Sequence, residues 1–132
     1  MIVVDTNVMV YLLTGSGSWE KAAELLVQDP EWAAPPILLS EIRNVLVGLL
    51  RRGQMGKEDA LDICSDTEAI LGDRVVPVPA QSVVKAALEG GMSAYDAEFV
   101  VLARRLGTPL VTADQAILDG APDVAVPLGG PS

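Results

Sequence analysis

Short apolar runs alternate along this chain with longer stretches in which apolar residues recur every three or four positions. Ile2-Val3-Val4, Trp32-Ala33-Ala34, Leu110-Val111-Thr112 and Val124-Ala125-Val126 read as strands. Arg74 to Val78 reads as an edge strand, because Pro77 cannot donate to a ladder. Helices are expected between them. The first runs from Asn7 to Leu13. Ser18 caps a second, whose apolar side is Trp19, Ala22, Ala23, Leu25, Leu26 and Val27. Leu38 to Leu50 is amphipathic and ends near Gly53, and Ala60 to Leu71 ends near Gly72. Ser82 to Leu88 follows. Ser93 caps a helix from Ala94 to Leu106 that stops at Gly107, and Gln115 to Leu118 forms one further turn. A strand as apolar as Ile2-Val3-Val4 must be covered on both faces. The alternation therefore predicts an α/β fold, a parallel sheet with helices on both sides and right-handed crossovers.

The 132 residues suit one domain, and no repeat or long linker divides them. The loose ends expected are Gly15-Ser16-Gly17, Pro35-Pro36 and the tail Gly129-Gly130-Pro131-Ser132. No apolar run reaches the ~20 residues of a membrane span, and no signal peptide is visible, so a soluble cytoplasmic protein is expected. The single cysteine, Cys64, excludes an intrachain disulfide. It occupies an apolar helical position. The chain has no histidine, which excludes a His-dependent triad, a His general base and a Cys/His zinc site. Acid–base or metal chemistry must come mainly from carboxylates, which suit hard cations such as Mg²⁺ or Mn²⁺.

In a doubly wound sheet, ligands bind beyond the carboxyl ends of the strands. Asp5 directly follows the first strand, and Asp114 follows Leu110-Val111-Thr112 with one residue between. Asp96 lies three residues after Ser93, and Glu41 lies in the first turns of the Leu38–Leu50 helix. Each has an ordinary structural explanation: a turn residue or N-cap, the second half of a capping box, a solvated helix face. Together they place four acids from four segments on one rim. Uncompensated carboxylates so gathered raise one another's pKa, which is costly without a cation.

Val3-Val4-Asp5-Thr6-Asn7-Val8, Leu39-Ser40-Glu41-Ile42, Ser93-Ala94-Tyr95-Asp96-Ala97-Glu98 and Leu110-Val111-Thr112-Ala113-Asp114, in that order, resemble the acidic motifs of PIN-domain nucleases. Order, spacing and length are most similar to the VapC-type toxins of toxin–antitoxin pairs. The resemblance covers residues 2 to about 118. It implies a three-layer α/β/α sandwich and Mg²⁺- or Mn²⁺-dependent hydrolysis of RNA. It further implies Asp5, Glu41, Asp96 and Asp114 as metal ligands and catalytic residues, with Asn7, Thr112 and Ser93 supporting them. Asp119 is a weaker additional position. The implied partners are RNA, a small antitoxin and a second copy of the chain, with Tyr11 and Leu12-Leu13 suiting either a dimer surface or the core.

The net charge of −9 argues against non-specific nucleic-acid binding. Arg43, Arg51, Arg52 and Lys57 form one basic cluster and Arg104 and Arg105 another. Either is a phosphate track or a complement to helix C-termini. Trp19 and Trp32 are expected to pack rather than to stack bases. Two other functions compete: a catalytically silent PIN-like module that binds RNA or protein, and a carboxylate-based phosphohydrolase of small molecules. The second is disfavoured because Asp5-Thr6-Asn7 lacks an Asp-x-Asp arrangement and no cap insertion is evident.

Overall fold

Strand β1 (Ile2–Val4) lies at the centre of the molecule and is buried on both faces. In the computed structural model, which describes residues 1–130, it is flanked by β2 (Trp32–Ala33) and β3 (Leu110–Thr112), and β4 (Ala125–Pro127) lies outside β3. All pairings are parallel and the strand order is β2-β1-β3-β4. Val3 pairs with Ala33 on one side and Leu110 on the other. Pro127, unable to donate, is tolerated because β4 is the outermost named strand.

Seven helices complete the described residues: α1 (Thr6–Thr14), α2 (Trp19–Gln28), α3 (Ile37–Arg51), α4 (Lys57–Leu71), α5 (Ala80–Gly90), α6 (Ala94–Leu106) and α7 (Gln115–Gly120). With a parallel bridge from Ala34 to Val75 lying beyond β2, the leftward crossovers from β1 and β2 and the rightward ones into β3 and β4 keep one hand only if α1–α4 cover one face and α5–α7 the other. The packing agrees: α1 meets α2, α3 and α4, whereas α6 meets α5 and lies on β1 and β3. The result is the expected α/β/α sandwich. Trp32, Phe99, Met9, Leu38, Leu71, Leu102 and Leu110 are its largest fully buried side chains. Tyr11, Leu12 and Leu13 are partly buried against this core, and Cys64 is half-buried beside it.

Three expectations require correction. The edge strand from Arg74 to Val78 is reduced to a single parallel bridge, Ala34 to Val75. Two backbone hydrogen bonds surround it, Ala34 N to Arg74 O and Val76 N to Ala34 O. Pro35 and Pro36 on one side and Pro77 on the other lack the N–H groups that would extend it. Ser18 precedes α2, but its side chain makes no capping bond. The apolar side of α2 is only partly buried: Ala22 is buried, Ala23, Leu25 and Leu26 are half-buried, and Trp19 and Val27 are exposed. This helix packs mainly on α1, and it meets the core through Ala22, Leu25 and Leu26 while Trp19 and Val27 face outward.

Other boundaries moved slightly. Helix α5 starts at Ala80 and α7 extends to Gly120. The ends of α5 and α7 touch at Gly90 and Gly120, where a Cβ on either would collide with the other's carbonyl oxygen. This contact anchors α7, whose first turn carries part of the site. No helix among the described residues is long and apolar enough to cross a membrane. Pro131 and Ser132 of the expected loose tail lie outside the described residues.

Candidate metal centre

The chain leaves β1 toward β2 and leaves β3 in the opposite direction, toward β4. Between the carboxyl ends of these adjacent strands the helical layers part, which is where doubly wound sheets form a crevice. A cavity of about 350 Å³ opens there. Asp5, Glu41, Asp96 and Asp114 all line it, and Asn7 does too.

Each acid is held by the start of a helix. Asp5 ends β1 and caps α1, its Oδ1 accepting from Val8 N at 3.1 Å. Its Oδ2 accepts from the Thr112 hydroxyl. Only 4% of Asp5 is exposed. Thr112 is fully buried at the end of β3, and its hydroxyl also accepts from Asp114 N at 2.9 Å. One hydroxyl thus links both strand ends. Asp114 caps α7 through Ala116 N at 2.8 Å. Ser93 caps α6 by accepting from Asp96 N at 3.0 Å. Only this half of a capping box is formed among the described contacts, so the Asp96 carboxylate is left to face the cavity. Glu41 sits in the second turn of α3, where its Oε1 accepts from the Thr6 hydroxyl at 2.6 Å.

The electrostatics follow from burial and crowding. Burial pushes the Asp5 carboxyl above the usual carboxylate range, and the nearby Asp114 adds to this. The hydrogen bonds from Thr112 and Val8 oppose the shift. Asp96 is also raised, first by burial and then by the charges of Asp114 and Glu41. Glu98 is raised by burial and by Glu41. No lysine or arginine lines the cavity among the described residues. Nor are any three acidic side chains there gathered at the close spacing of a formed ion cluster. The four carboxylates share a pocket rather than a point. Their oxygens retain lone pairs beyond those used by Thr6, Thr112 and the backbone. A donor set of carboxylates with no competing base fits a hard divalent cation.

The other expected positions divide. Ser93 holds the backbone of Asp96 and does not line the cavity. Asp119 is exposed and accepts from Gln115 Nε2, away from the site. Arg104 makes two hydrogen bonds to Asp123, so it is not a free phosphate contact. Arg43, Arg51, Arg52 and Lys57 are exposed and none lines the cavity. Trp32 packs in the core as expected, but Trp19 does not. Thr6, Asn44 and Tyr95 line the cavity without having been singled out in the sequence. The hydroxyl beside Asp5 was the one available signal for Thr6. Its partner lies 35 residues away, beyond any local pattern.

A family model for the PIN domain matches residues 2–121. The ribonuclease VapC3 of Pyrobaculum aerophilum is 26% identical over 129 residues, which span 96% of this chain and 98% of that protein. The crystal structure of PAE2754 from Pyrobaculum aerophilum superposes with a TM-score of 0.76 at 21% identity, covering 97% of this chain and 83% of that one. A toxin–antitoxin complex from Klebsiella pneumoniae contains a chain with a TM-score of 0.69 at 21% identity, with 96% of each covered. At these identities the two structures bear on the fold.

Proposed function

The chain belongs to the PIN domain family and is related to VapC ribonucleases, and on that premise we propose that it is a metal-dependent ribonuclease, the toxin of a toxin–antitoxin pair. The observation that carries this reading is the convergence of Asp5, Glu41, Asp96 and Asp114 on one cavity with no basic side chain among them. Residues 1–132 act as one such domain.

Asp5 and Asp96 would hold a Mg²⁺ or Mn²⁺ ion most firmly, and Glu41 and Asp114 would complete its shell or hold a second. A divalent ion held there would supply Lewis-acid polarisation of the phosphate and an activated water. The protein's part is placement. Val8 N–H and the Thr112 hydroxyl fix both oxygens of Asp5. The Thr6 hydroxyl fixes one oxygen of Glu41, and Ser93 fixes the helix turn that presents Asp96. Asn7, exposed at the rim, is placed to hydrogen-bond a phosphate oxygen or water. Rigid presentation limits the reorganisation left for the reaction itself. The same acidic field suits inhibition by an antitoxin that inserts an arginine, whose guanidinium fork pairs with carboxylates. A homodimer is part of the same proposal.

The test is cleavage of single-stranded RNA by the purified chain. Cleavage is expected with Mg²⁺ or Mn²⁺, none in excess EDTA, and none by Asp5→Asn prepared identically. Undiminished cleavage in EDTA would refute the metal requirement. Hydrolysis of a chromogenic phosphomonoester without RNA cleavage would point to a small-molecule phosphohydrolase.

A further inference from the structure

We propose that Tyr95, with the apolar wall beside it, forms a subsite on which an unpaired nucleobase of the substrate stacks; this rests on the ribonuclease reading above. Phosphate contacts by Lys and Arg ordinarily supply most of the affinity for nucleic acid. The cavity has none among its described lining residues, the net charge is −9, and Arg104 is engaged by Asp123. Within the cavity, Asn7 offers at most an uncharged phosphate contact, so most of the binding by protein side chains there must come from other parts of the substrate.

The cavity offers such a surface. Tyr95 is the second residue of α6, directly before Asp96, and 63% of it is exposed. Phe99, four residues on and therefore on the same helix face, is buried beneath the cavity lining. Ile117 from α7 and Ile37 and Val45 from α3 continue the apolar wall. Of the five aromatic residues in the chain, only Tyr95 is both exposed and part of this cavity. A nucleobase has an uncharged π-face that stacks on an aromatic ring whatever its identity, and the carboxylates do not repel it. A paired base has both faces covered by its neighbours in the duplex. The subsite therefore selects an unpaired nucleotide close to the bond that is cut.

The experiment is steady-state cleavage of a single-stranded RNA oligonucleotide with Mn²⁺ by wild type, Tyr95→Ala, Tyr95→Phe and Trp19→Ala. Loss of one stacked base corresponds to a rise in KM of about 5- to 150-fold. That rise is expected for Tyr95→Ala, with a smaller fall in kcat. Tyr95→Phe should recover most of the affinity. Trp19→Ala removes an exposed aromatic outside the cavity and should leave KM within about twofold of wild type. Quenching of 2-aminopurine placed beside the cleaved bond, read by rapid mixing, reports stacking without relying on turnover. Wild type and Tyr95→Phe should quench it and Tyr95→Ala should not. A wild-type Mn²⁺-induced rise in melting temperature in both Tyr95 variants shows that the fold and cation site are intact. Unchanged KM and quenching in Tyr95→Ala, beside an active wild type, would overturn the subsite and leave the ribonuclease reading standing. Tyr95→Phe as impaired as Tyr95→Ala would overturn stacking in favour of a hydroxyl contact. A wild type that neither cleaves nor quenches would remove both readings.

Discussion

Thr112→Val removes the hydroxyl that joins the two strand ends while keeping the side chain's shape. Thr112 is fully buried, and its hydroxyl donates to Asp5 Oδ2 and accepts from Asp114 N. Asp5 is itself 4% exposed, so water cannot readily replace the lost donor. A hydrogen bond to a charged group contributes about 1.5–3 kcal/mol and a neutral one about 0.5–1.5. The sum places the loss at about 2–4.5 kcal/mol of stability at neutral pH. At about 4 °C per kcal/mol for a domain of this length, the melting temperature should fall by about 8–18 °C. The cost should also depend on pH. The Thr112 bond opposes the burial that raises the Asp5 pKa, so its removal pushes that pKa further up. The penalty is therefore complete above the variant's native pKa and shrinks as acid protonates Asp5. Urea denaturation at several pH values, in EDTA, measures both effects. Thr112→Ser keeps the hydroxyl and should cost only about 1 kcal/mol for the lost methyl group. A Thr112→Val protein no less stable than Thr112→Ser, or a loss that is the same at every pH, would refute the bridging role.

Three further substitutions test neighbouring parts of the site. Thr6→Val should weaken Mn²⁺-induced stabilisation by freeing Glu41, with Thr6→Ser restoring it; melting curves with and without Mn²⁺ decide this. Asp96→Asn in EDTA should be at least as stable as wild type at neutral pH, because it removes a carboxylate raised by burial, Asp114 and Glu41. The native state holds that proton more tightly than the unfolded chain, so the wild-type penalty is absent below about 3.8 and grows as pH rises through the native pKa. The advantage of the variant over wild type should grow in the same direction, and a variant less stable than wild type at pH 7 would show that the helix dipole outweighs repulsion. Arg104→Ala should lower stability by about 1 kcal/mol or less, as for an exposed ion pair, and leave the RNA cleavage rate unchanged, since its guanidinium is committed to Asp123.

What could be read before the structure was what local chemistry encodes. Ser93 and Gly107 bounded α6 correctly because both signals act through the backbone, a cap bond to Asp96 N and a left-handed glycine at φ 66°. Leu110–Thr112 was recognised because a strand buried on both faces has no polar residue before its end. The four acids were legible because Asp5 and Asp114 follow strands and cap helices, while Asp96 and Glu41 lie in the first and second turns of theirs. Asp5 proved to be both an N-cap and a cavity residue, so the structural and functional readings of that position were not alternatives. The features that were misjudged or missed depended on distant partners. The strand at Val75 failed for want of donors on two separate segments. Thr6 finds Glu41 across 35 positions, and Arg104 finds Asp123 across 19. Six apolar residues in α2 predicted a buried side, but burial there depends on what the outer layer leaves uncovered.

Direct titration of Mn²⁺ into the protein, followed by the electron paramagnetic resonance signal of the free ion, tests whether the four carboxylates make one cation site. Wild type should remove Mn²⁺ from solution saturably. Asp5→Asn, Glu41→Gln, Asp96→Asn and Asp114→Asn should each bind it more weakly, with the largest losses in the Asp5 and Asp96 variants. Binding equal to wild type in all four, or no saturable binding in wild type, would mean that the cavity at the ends of β1 and β3 is not a metal centre.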